Sequence, residues 1–177
     1  MRTVIFFLLA VFLVVLQTTV LQLGHGWLRA PDLVFILVSF IAYRFDWLRG
    51  LVLVFGCGWM MDVVAASSPG IFVFEYLLVF LVLSVLAKNS PVKESAYQVP
   101  LVGLAYFVIQ VLIYGALTVF DVESLPSWSW GRLTRETVIV VAATIPGFAL
   151  FNTLYEYLQQ RRTVSRIIHR KSGNRFR

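Results

Sequence analysis

Apolar runs alternate with polar breaks six times along the chain. Val4–Leu23 is mostly apolar and reaches the length of about 20 residues that one membrane span needs. GHGW breaks it. Pro31 and Asp32 open a second run that lasts to Tyr43, and a polar turn follows from Arg44 to Arg49. A third run starts at Gly50 and ends in AASSPG, where Ser68 is a candidate cap and Pro69 a first-turn residue. The fourth lasts to Ala87, ahead of the polar loop KNSPVKESAY. The fifth covers Gln98–Phe120. Asp121–Arg135 is the longest loop between runs, and its Trp128 and Trp130 suit a membrane–water interface. The sixth covers Glu136–Leu158, where Pro146-Gly147 should kink the helix. The pattern predicts an all-α polytopic membrane protein. Six transmembrane helices form one bundle over residues 1–158, and 159–177 form a basic cytoplasmic tail.

Composition strengthens this picture. The chain has 177 residues, 59% hydrophobic and 14% charged, whereas soluble domains average about 45–50% apolar and about 25% charged. The net charge of +6 is local. Seven Lys/Arg and no Asp/Glu follow Gln160, while the remainder carries eight Lys/Arg against nine Asp/Glu. Basicity of this kind marks a tail, not a nucleic-acid-binding surface. The first run is too long for a signal peptide, and no small-x-small cleavage site follows it. The lone Cys57 excludes an intrachain disulfide and a Cys-based metal site.

Polar residues inside the apolar runs are the candidates for function. Pro31 and Asp32 are ordinary helix-start residues, and glycines such as Gly56 and Gly58 let a neighbouring backbone come close. Asp62 fits neither account. It lies near the C-terminal end of its helix, where the helix dipole disfavours an anion. A charged Asp deep in a membrane helix costs about 2.5–3.5 kcal/mol on insertion scales, so a compensating partner or polar cavity is expected. Glu75 lies about 9 Å past Pro69 at 1.5 Å per residue, too deep to be only a cap. Asp62 and Glu75 flank the same turn and are expected to face each other, with Arg29 as their cation. Gln17 and its polar neighbours either bond a neighbouring helix or reach the interface, and Asn152 is a candidate for interhelical hydrogen bonding.

Pro31-Asp32 opening one helix, then Gly56-x-Gly58-x-x-x-Asp62, then a Ser/Gly-rich turn ending in Gly70, resembles the core signature of the MreD rod shape-determining family. The match covers about a quarter of the chain. It implies a scaffold in the bacterial inner membrane that helps organise lateral peptidoglycan synthesis and maintain rod shape. Its implied partners are MreC and, through it, MreB, RodA and a class B penicillin-binding protein. It also implies a fold similar to the substrate-binding components of energy-coupling-factor transporters. A vitamin-like small-molecule-binding subunit of that kind is the alternative function. Such components often carry A-x-x-x-A in their first helix, and FFLLAVFLVVLQ has no such pair. Proton-coupled transport through Asp62 and Glu75 is the generic reading of intramembrane acids, but the halves show no inverted repeat.

The chain holds no H-E-x-x-H, no phosphate loop and no G-x-S-x-G elbow. It therefore reads as a non-enzyme without a cofactor. In the tail, Val164, Ile167 and Ile168 are spaced along one helical face among Arg161, Arg162, Arg166, Arg170 and Lys171. That pattern fits either an amphipathic segment on anionic lipid or a disordered topogenic tail.

Six spans place both termini on one side, with twelve Lys/Arg there against Arg29, Arg132 and Arg135 on the other. The positive-inside rule makes the twelve-residue side cytoplasmic. Cysteines introduced as Gly26→Cys and Ser172→Cys test this. The first should react with an impermeant thiol reagent outside the cell, the second only from the inside; reversed labelling would overturn the topology.

Overall fold

The computed structural model describes residues 2–19, 32–65, 70–89, 95–119 and 129–172, without the side chains of 2, 89, 95–97 and 160–172. Among the described residues there are six α-helices and no strand: α1 (Arg2–Thr19), α2 (Leu33–Arg44), α3 (Trp47–Ala65), α4 (Ile71–Asn89), α5 (Ser95–Val119) and α6 (Trp130–Ser172). Four of them, α3 to α6, are long and apolar enough to cross a membrane, while α1 and α2 are shorter apolar helices. Large apolar side chains face outward, with Leu8, Phe12, Val52, Trp59, Leu104 and Leu150 all more than half exposed. Apolar exposure on that scale, spread over five helices, suits a hydrocarbon surrounding rather than water.

The core forms around α2. Its nine residues from Val34 to Ala42 are all buried, as expected of a helix that is apolar on every side. Packed against it are α1, α3, α4 and α6, and Tyr106 of α5 meets the Phe35 ring edge-on at 4.9 Å. With 12 residues, α2 is about 18 Å long, well short of the ~30 Å hydrocarbon core. Enclosure by the other helices spares it that requirement. An aromatic cluster ties its C-terminal half to α1 and α6. Phe6 stacks on Phe40 at 5.9 Å and meets Phe45 and Tyr155 edge-on, while Phe148 and Phe151 pack against Phe40.

Several helix boundaries differ from the apolar pattern because capping overrides it. The turn after α2 is Phe45-Asp46, not Arg44–Arg49. The Asp46 carbonyl accepts the first helical bond from Gly50 N–H at 2.8 Å, and Asp46 pairs with Arg49 at 3.2 Å. Trp130, expected in a loop, opens α6. The Ser129 carbonyl there accepts the N–H groups of Arg132 and Leu133 at 3.1 and 3.2 Å. α6 runs unbroken through Pro146-Gly147 for 43 residues. The boundary drawn at residue 158 is thus a change of composition within one helix. Arg161, Arg162, Arg166, Arg170 and Lys171 lie on its backbone, with side chains outside the described residues. Ser68, Pro69 and the loop 121–128 also lie outside them.

Gly58 sets the spacing of α3 and α4. A Cβ there would stand 2.6 Å from Val73 Cα and 3.0 Å from Val73 N, and backbone cannot yield as a side chain can. At Gly56 the nearest atom is the Phe7 ring, 3.1 Å away, which can rotate. Gly58→Ala should therefore destabilise the protein by about 1–3 kcal/mol, and Gly56→Ala by clearly less. Reversible denaturation in detergent micelles reads both; equal effects would refute the packing argument.

Candidate functional site

A half-open cleft of about 330 Å³ lies among α1, α2, α4, α5 and α6, and its polar lining comprises Gln17, Asp32, Glu75, Gln110, Arg132 and Glu136. Its construction begins with Asp32, the N-cap of α2. Asp32 Oδ1 accepts the Phe35 N–H at 2.9 Å, the capping role its sequence position implies. Gln17 Oε1 accepts the next two free donors, from Leu33 at 3.1 Å and Val34 at 3.4 Å, and Gln17 Nε2 donates to Asp32 at 3.4 Å. The Tyr76 hydroxyl donates to the same carboxylate at 3.1 Å. One carboxylate thus joins α1, α2 and α4. Of the two outcomes weighed for Gln17, interhelical bonding is the one found.

Glu75 lies beside this junction with only 4% of its surface exposed. Gln110 Nε2 of α5 donates to Glu75 Oε1 at 2.8 Å. Farther along the wall, Arg132 Nε and Glu136 Oε1 form an i,i+4 ion pair at 3.0 Å on α6.

Asp62 is not part of the cleft lining. Its carboxylate accepts the N–H groups of Gly70 and Phe72, both at 3.0 Å, and of Val73 at 3.4 Å. These are the unpaired donors at the start of α4, so Asp62 caps the helix that follows its own. Gly70 turns the chain there with φ +96°, a backbone state open to glycine at little cost. The positive N-terminal end of α4 offsets the unfavourable C-terminal end of α3.

The expected pairing of Asp62 with Glu75 therefore gives way to two sites. Gly58, Asp62 and Gly70 close the α3–α4 turn, and Asp32, not Asp62, shares the cleft with Glu75. Arg29 and Pro31 lie outside the described residues. Among the described residues Arg132 is the guanidinium lining the cleft. Gly56 packs toward Phe7 of α1. At the opposite end of the bundle, Arg44 Nη2 donates to Asn152 Oδ1 at 2.7 Å, the interhelical bond expected of Asn152. Sequence reasoning passed over Tyr76, Gln110 and Glu136. An amide in the middle of the 22-residue apolar stretch Gln98–Val119 was a legible signal for Gln110, whereas nothing in the pattern marked Tyr76.

Three carboxyl groups and two carboxamides against one guanidinium give the cleft mostly acceptor character, suited to water or to a small group rich in N–H or O–H donors. Among the described residues no three His, Cys, Asp or Glu side chains gather as a metal site. Ser39 donates to the Phe35 carbonyl one turn back at 2.9 Å, and Ser84 likewise to Phe80. The fold and site define an all-helical protein built like an integral membrane protein. Comparison of the chain with protein-family models, curated proteins and solved structures gives no match.

Asp62→Leu removes the α4 cap and should cost about 1–2 kcal/mol. Asp62→Asn keeps an acceptor oxygen and should cost clearly less. Denaturation in detergent measures both, and a leucine variant as stable as wild type would refute the cap.

Proposed function

We propose that this chain is a multi-pass scaffold of the MreD type in the bacterial inner membrane, organising lateral cell-wall synthesis and rod shape together with MreC. The observation that carries the reading is the job that three of the signature residues share at one turn. Gly58 admits the α4 backbone, Asp62 caps α4, and Gly70 makes the turn. These residues serve architecture, as a scaffold requires, and leave the exterior helix faces for partners. MreC is the direct partner, with MreB, RodA and a class B penicillin-binding protein joined through it. The protein performs no chemistry of its own.

The six helices form one six-span bundle with both termini in the cytoplasm. Support comes from the ends of the helices. Phe6 near the start of α1 contacts Phe45 and Tyr155 of α6, and Lys88 lies over the Trp47 ring at 5.1 Å. Arg44, Lys88, the start of α1 and the basic end of α6 therefore share one end, in keeping with the positive-inside rule.

The cleft favours one alternative. Its volume falls within the range of small-molecule sites, about 300–1,000 Å³, as in a substrate-binding component of an energy-coupling-factor transporter, whose fold this bundle is proposed to resemble. Purified MreC mixed with this protein in nanodiscs should co-elute as a complex. Absence of association, together with a small molecule retained through purification, would favour the alternative.

A further inference from the structure

The Arg44 end of the bundle holds a second cleft, and its chemistry is opposite to that of the first. It measures about 380 Å³ and opens between α2, α5 and α6. Its polar lining is Tyr43, Arg44, Gln98 and Asn152, and Phe40 and Phe148 contribute apolar walls. Among the described residues no carboxylate lines it.

Three observations point to an anion. The Tyr43 hydroxyl is buried and has no hydrogen-bond partner among the described residues, and a buried donor left unpaired is costly. Arg44 is held in place by Asn152 at 2.7 Å, while Asn152 Nδ2 donates to Glu156 at 2.8 Å. That chain uses one of the five guanidinium N–H groups and leaves the others to a ligand. Gln98 lies close to the N-terminus of α5, which begins at Ser95, and the unpaired N–H groups of a helix start favour negative charge. Among the described residues the other charged groups at this end are Glu156, engaged by Asn152, Lys88, which lies over the Trp47 ring, and the exposed Asp46–Arg49 pair.

We propose that this cleft binds the phosphate of an anionic glycerophospholipid from the leaflet at the Arg44 end, the acyl chains leaving along Phe148 and the exposed Ile145 of the same lining. Arg44 supplies the charge and Tyr43 a neutral hydrogen bond to a phosphate oxygen. The apolar walls distinguish a lipid from free phosphate. The site is independent of the scaffold reading, because it uses none of the signature residues.

Delipidated full-length protein, titrated with phosphatidylglycerol, phosphatidylcholine or inorganic phosphate and followed by native mass spectrometry, tests this. Phosphatidylglycerol should bind more tightly than phosphatidylcholine, whose choline cancels the charge. Arg44→Gln should weaken phosphatidylglycerol about tenfold or more, and Tyr43→Phe, which keeps the ring and its packing, about fivefold. Arg49→Gln, on an exposed pair at the same end, should leave binding unchanged. Equal binding of the two lipids, equal losses in the Arg44 and Arg49 variants, or an unaffected Tyr43→Phe would overturn the site. Displacement of the lipid by equimolar inorganic phosphate would overturn its assignment to a lipid.

Discussion

A helix that starts within or beside hydrocarbon has donors that water does not reach, and this structure is arranged around supplying them. The start of α2 takes its acceptors from Asp32 and Gln17. The start of α4 takes them from Asp62, eight residues before the first donor it serves. Unsatisfied backbone groups cost several kcal/mol in lipid, so these few oxygens outweigh any single apolar contact. They also decide which helices are neighbours, since each acceptor comes from outside the helix start it serves, except the Asp32 side chain.

Enclosure of α2 follows from the same constraint. A helix of 12 residues cannot bridge the hydrocarbon alone, so its ends must meet protein. One end meets Gln17 and Tyr76 through Asp32, and at the other the Arg44 carbonyl approaches the Tyr155 hydroxyl at 3.5 Å. Between them lie nine buried residues and the aromatic cluster around Phe40. Aromatic pairs of this kind add about 0.5–1.5 kcal/mol each beyond the area they bury. They fix α1 and α6 against α2 where the backbone has no polar contact to offer.

The bundle is electrically polar from end to end. Acceptors collect in the cleft at the Asp32 end, and donors in the cleft at the Arg44 end. Both clefts open beside α2, because a short central helix leaves room at each of its ends that the longer surrounding helices do not fill. Two sites of opposite chemistry are thus a consequence of one helix length.

Apolar run lengths in the sequence by themselves determined the helical class, the six elements and their order, because a run of about 20 apolar residues has few alternatives to a helix in a membrane. Asp32 as a cap was legible too, since capping acts within four residues of chain. The depth of Glu75 was also legible, but its partner Gln110 was not, because 35 residues separate them. Only the tertiary structure decided the role of Asp62. Within its own helix the dipole opposes a carboxylate at that position, and the sequence therefore pointed toward a cation or the neighbouring acid. The close approach at Gly58 instead brings the start of α4 within 3.0 Å of the carboxylate, and the sign of the local field is set by the helix that arrives, not by the one that carries the residue.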